Sequence, residues 1–144
     1  MSDTSISRPK VTAEIVKAAA NRLIQECGLE GSADEICSVY REGMDGYAIG
    51  KELDLRFGWD IDADSVEHLD GLGFIVHELH TKACYEWVSN NNIQPKLAIG
   101  ATIQRGVICG VSEYNPAMYK VKEHGCNKED RFLLIKFEAA ENNI

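Results

Sequence analysis

His77, His80 and Cys84 fall within one short stretch of the chain. On a helix that spacing turns all three side chains to one side, and imidazole together with thiolate suits zinc. A zinc-protease helix, however, sets its histidines four apart with a glutamate beside the first. In His77-Glu78-Leu79-His80 the spacing is three. The same residues lie one step around from the apolar stripe of Val76, Leu79 and Ala83, so they read more simply as the border of an amphipathic helix. A small metal-dependent enzyme or sensor built on His77, His80 and Cys84 is the alternative reading.

A second run, Asp60-Ile61-Asp62-Ala63-Asp64-Ser65, opens like a calcium loop. Such a loop needs glycine at its sixth place and a bidentate glutamate at its twelfth. Ser65 and Gly71 stand there, so calcium is not expected. Alternating carboxylates at a helix start suit a different task, since the macrodipole favours negative charge there. Asp60, Asp62, Asp64 and Glu67 are therefore the candidate partner-binding residues, forming an acidic contact patch. Nucleophilic catalysis has only Cys126 beside His124, and sequence adjacency does not make a dyad. Gly100, Gly106 and Gly110 lack a following G-K-[ST], so they suit bulges and tight strand turns better than a phosphate loop. The expectation is a non-enzyme with no catalytic residue, metal or cofactor.

The elements that must position these side chains are helical first. Thr12 should cap a helix carrying Ile15, Val16, Ala19, Leu23, Ile24 and Cys27, with Val11 and Val16 as a hydrophobic staple and Gly28 as its stop. A second helix should begin at Ser32, with Glu35 completing a capping box, and end near Gly43. A third is expected from Asp45 to Phe57, closed by Gly58, with Tyr47, Leu53 and Phe57 on a shared face and Gly50 as a weakness. The fourth should be long, capped by Asp64 with Glu67 completing its box. Its stripe runs Val66, Leu69, Leu72, Val76, Leu79, Ala83 and Trp87. Gly71 and Gly73 mark a bend or a close packing point in it. Asn90-Asn91-Asn92 and Pro95 end it.

Beyond Pro95 the period changes. Thr102, Ile103, Val107, Ile108 and Val111 suit strands, followed by a turn at Asn115-Pro116 and a strand over Met118–Val121. A polar turn through Gly125-Cys126-Asn127 then leads to a strong strand over Phe132–Phe137. Three or four short strands make a curled antiparallel sheet or a small barrel leaning on helices. The fold class is therefore α+β, with a helical acidic region at 1–92 and a small β-rich region at 93–144, expected to pack as one compact unit. Met1–Lys10 and Ala139–Ile144 read as loose tails.

Bulk numbers narrow the function. In 144 residues the formal net charge is −8. Residues 1–92 hold 17 acidic and 8 basic side chains, whereas residues 93–144 hold 6 and 7. The segment from Asp45 to Asn92 alone has 10 acidic and 3 basic. Such a field repels nucleic acid and favours a partner with a basic surface. The start of the chain has neither the basic residues nor the apolar run of a signal peptide, and nothing approaches a membrane span. Five cysteines without paired spacing suit reduced, buried thiols in a cytoplasm. Lys96, Arg105, Lys120, Lys122, Lys128, Arg131 and Lys136, mixed with Tyr114 and Tyr119, leave a nucleic-acid-binding tail as a further alternative, against the overall acidity. Trp87, near the end of the long stripe, could serve a homodimer contact.

The pattern Gly100-x-x-Ile103-x-x-Gly106-Val107-Ile108-x-Gly110-Val111-x-x-Tyr114-x-Pro116-x-x-Tyr119-x-Val121 resembles the opening of a small KOW or Tudor-type barrel. That resemblance implies a module that binds peptides or nucleic acid, with Arg131–Glu138 as a closing strand. In general character, being short, acidic and cleanly capped with a long helix ending in Asn-Asn-Ile-Gln-Pro, the chain resembles small accessory proteins of bacteriophages and prophages. Among these, anti-CRISPR and other anti-defence proteins act by occupying a protein surface. The resemblance implies a binding or inhibitory protein that docks on a host protein in the host cytoplasm.

Overall fold

The computed structural model describes residues 7–29, 31–126 and 131–142. Helix α1 (Ala13–Cys27) starts where the Thr12 hydroxyl accepts the Ile15 N–H, and Gly28 closes it with left-handed backbone at φ 68°. Helix α3 (Gly46–Phe57) is framed in the same way by the Asp45 carboxylate, which accepts the Ala48 N–H, and by Gly58 at φ 70°. Both helices match the sequence expectation because their signals are local.

Elsewhere the local signals mislead. Helix α2 (Ala33–Val39) ends at Tyr40 rather than near Gly43. Its Ser32 cap is real, but the expected capping box is absent: the hydroxyl takes the Asp34 N–H, and Glu35 accepts the Trp59 indole N–H at 3.0 Å. The long helix expected from Asp64 is two helices, α4 (Ala63–Asp70) and α5 (Leu72–Asn90), separated at Gly71. The cap is Asp62, whose carboxylate accepts the Ser65 N–H at 2.8 Å, while Asp64 lies inside the first turn. On α3, Leu53 is buried, but Tyr47 and Phe57 are exposed, so the three do not share a buried face.

Contacts divide the chain into two units, Pro9–Ala83 and Met1–Arg8 with Cys84–Ile144, so the last turns of α5 group with the strands. The helical unit buries Val16, Leu23, Ile36, Ile49, Leu53, Leu69, Leu72 and Val76 in one core. Gly46 sets the approach of α3 to α4. A Cβ there would stand 2.0 Å from the Val66 carbonyl oxygen and 2.6 Å from the Asp70 nitrogen. Burying a side chain at that spot is impossible without moving a helix.

The second unit holds a four-stranded antiparallel sheet in the order β1 (Thr102–Ile103), β2 (Gly106–Val111), β3 (Met118–Glu123), β4 (Leu133–Lys136). The register shifts between Ile108 and Gly110, which makes Cys109 a bulge. Ile103, Ile108, Tyr119 and Val121 form the inner face, packed with Phe137 and Ala140. The chain then departs from expectation: Phe137 opens a short helix, α6 (Phe137–Glu141), instead of closing the last strand. Ala139 and Ala140 are thus helical rather than part of a loose tail, whereas 143–144 lie outside the described residues, as do 1–6 of the expected N-terminal tail. Arg8 is not loose either, since its guanidinium bonds Glu138 and two backbone carbonyls. The turn expected through Asn127 and the basic Lys128 also lie partly or wholly outside the described residues. Of the five cysteines Cys84 is buried, Cys27, Cys37 and Cys126 are half-buried, and Cys109 is exposed, so the expectation of buried thiols holds fully for Cys84 and fails for Cys109. The fold is α+β, and among the described residues no helix is long and apolar enough to cross a membrane.

Candidate functional site

The helical unit carries a surface groove of about 630 Å³ where the ends of α1 and α3 meet the start of α4. Leu29 and Trp59 supply its apolar wall, and Asp60, Asp62 and Asp64 its charged one. The three aspartates meet there for a local reason. Gly58 turns the chain out of α3, and Asp62 starts α4 four residues later, so the intervening acidic run lies along the groove. Trp59 is fixed from two sides. Its indole N–H donates to Glu35, and Gly31 lies against the ring so closely that a Cβ would stand 2.1 Å from it.

The electrostatics are mainly negative, with the N-terminal turn of α4 as the opposing contribution. Gly28 and Gly58, the C-terminal caps of α1 and α3, both line the groove. Helix C-termini carry partial negative charge, which adds to the carboxylates. The Ser65 backbone N–H and hydroxyl hydrogen bonds hold the Asp62 carboxyl below its ordinary pKa. No ion pair of the described residues includes Asp60 or Asp64. Among the described lining residues, His68 is the one able to take a positive charge. Carboxylates beside an indole are groups chemically suited to an ammonium or guanidinium with an aliphatic stem. Glu67 is exposed on α4 but does not wall the groove, since its neighbour His68 takes that position.

The other sequence candidates are not assembled. His77 is exposed, and the His80 Nε2 lies 2.8 Å from the Pro9 carbonyl oxygen. Cys84 is buried. Among the described residues no group of three His, Cys, Asp or Glu side chains is placed to hold a metal ion. The His124 Nε2 lies 3.0 Å from the Ile103 carbonyl oxygen. Tyr119 is wholly buried and its hydroxyl donates to Glu141, so it offers no ring to a ligand. Sequence reasoning missed Trp59. The available signal was an aromatic residue set between a helix-stopping glycine and an acidic run. The chain matches no protein-family model, no characterised protein and no solved structure.

Proposed function

We propose that this chain is a non-enzymatic binding protein that docks on a basic surface of a partner protein through the groove rim of Asp60, Asp62 and Asp64. The supporting observation is the placement of these carboxylates beside the carbonyl ends of α1 and α3, with no described cation paired to Asp60 or Asp64. A concentrated negative field speeds encounter with a basic partner and sets orientation more than it sets raw affinity. The rim would mimic the charge of a polyanion on a partner that normally binds one, which suits the inhibitory, anti-defence role of small phage-encoded accessory proteins. The host protein would then be blocked in the host cytoplasm. A homodimer would present two such rims.

The test starts with affinity capture from host extract and continues with the purified partner. Association should weaken steeply with salt. Asp60→Lys with Asp64→Lys should abolish it while the helical content stays intact. Asp62 is left in place because it caps α4. Binding that survives the double reversal unchanged refutes the reading.

A further inference from the structure

We propose that the outer face of the four-stranded sheet binds single-stranded nucleic acid, with Lys120, Lys122 and Lys136 holding phosphates and Phe132 stacking a base. Alternation along the strands sorts the side chains. Ile108, Tyr119 and Val121 face the core, which leaves Val107, Lys120, Lys122, Leu134 and Lys136 on the other side. Register aligns them across the sheet, with Val107 opposite Lys122 and Lys120 opposite Leu134. Phe132, two residues before Leu134, joins this face: the Lys120 ammonium stands 5.2 Å from its ring centroid. Phe132 as a residue remains 45% exposed.

Three of the described carboxylates of this unit have partners away from Lys120 and Lys122. Glu123 bridges Arg105, Glu138 holds Arg8, and Glu141 accepts the Tyr119 hydroxyl. No carboxylate of the described residues bridges Lys120, Lys122 or Lys136. The overall acidity, which argued against nucleic acid from the sequence, is not shared by the two units. The helical unit has 15 acidic and 7 basic side chains, and the other has 8 of each, so the whole net charge of −8 belongs to the first. At physiological salt a field fades over about 8 Å, so the charges on a face decide what it attracts.

Geometry favours single strands over an acidic protein. Lys120 and Lys122 are two residues apart on one strand, about 7 Å by strand rise. Their ammonium groups are point charges suited to phosphate oxygens. A base stacked on Phe132 carries its own backbone past both lysines. A run of carboxylates alone would use the lysines but leave Phe132 without a stacking partner.

Fluorescence anisotropy of the full chain with labelled oligo-dT and oligo-U of about twelve nucleotides tests this in separate DNA and RNA arms. Binding is expected in at least one arm, with log K falling against log salt at a slope of about −2 for three phosphate contacts. Lys120→Glu with Lys122→Glu should abolish it. Phe132→Ala should weaken it roughly tenfold and Phe132→Tyr should restore it, with circular dichroism confirming that each variant folds. Absence of binding in both arms overturns the proposal. So does insensitivity to Phe132→Ala, or equal affinity for a polyglutamate peptide, which would mark an acidic protein as the ligand. None of these outcomes depends on the acidic groove.

Discussion

Arg8 and Glu138 stand 130 positions apart and form a two-point ion pair, Nε to Oε2 at 2.9 Å and Nη2 to Oε1 at 3.0 Å. The same guanidinium donates to the carbonyls of Pro116 and Ala117 and lies 5.1 Å from the Trp87 ring centroid. Ala117 has left-handed backbone at φ 54°, which a residue with a side chain holds only when its surroundings enforce it. Its carbonyl accepts from Arg8 and from the Phe137 N–H, so two partners pin it. Arg8→Ala should destabilise the β unit by about 2–4 kcal/mol, because it removes the ion-pair partner of Glu138, the Arg8 bond to the Pro116 carbonyl and one of the two bonds to the Ala117 carbonyl. Arg8→Lys should recover only part of this, lacking the planar fork. Urea unfolding followed by Trp87 fluorescence, in a Trp59→Phe background, measures both.

The same pair fixes an acid limit. Burial alone would push the Glu138 carboxyl up, but the hydrogen bonds and charge of Arg8 outweigh it and hold the group below its ordinary value. A folded pKa lower than the unfolded one, about 4.3, gives stability that is complete above that unfolded value. It is lost as pH falls through the folded value. Glu138→Gln should therefore lower stability at neutral pH and flatten the decline below about pH 4. A pH series of thermal melts on both proteins reads the difference.

Two glycines in the helical unit should respond in opposite directions. Gly46→Ala drives a methyl group into the Val66 carbonyl and the Asp70 nitrogen, costing about 3 kcal/mol. Gly73→Ala meets only the Tyr40 hydroxyl, at 3.7 Å, and gains up to about 1 kcal/mol of helix propensity. Denaturation midpoints decide, with the sign of the Gly73 change as the sharper test.

Tyr119→Phe removes a hydroxyl that donates to Glu141 at 2.8 Å and accepts the Leu97 N–H at 3.0 Å. The ring keeps its place against Phe137, centroids 4.4 Å apart, so the loss is polar alone, about 1–2 kcal/mol. Faster amide exchange at Leu97 should accompany it.

What the sequence made legible was local. Thr12, Gly28, Asp45 and Gly58 declare their helix ends within four residues, and the structure follows them. The alternating aspartates suggested Asp64 as the cap of α4, but the backbone places the cap two residues earlier, at Asp62. Ser32 and Glu35 had the right spacing for a box, but Trp59, 24 residues from Glu35, outbid the local partner. Phe137 continued an apolar run that read as strand, yet its packing on Tyr119 goes with a helical turn. The acidic run was plain in the sequence. Its meeting with Trp59 and the ends of α1 and α3 was not, because that depends on how three helices pack.

Asp62 has two oxygens and two obligations. Oδ1 takes both bonds from Ser65 and so keeps the first turn of α4 wound. A cation docking as proposed would meet this carboxylate at Oδ2, away from the oxygen that caps the helix. Under the proposed docking, grip and scaffold would draw on one side chain at Asp62, whereas Asp60 and Asp64 would be left to grip alone.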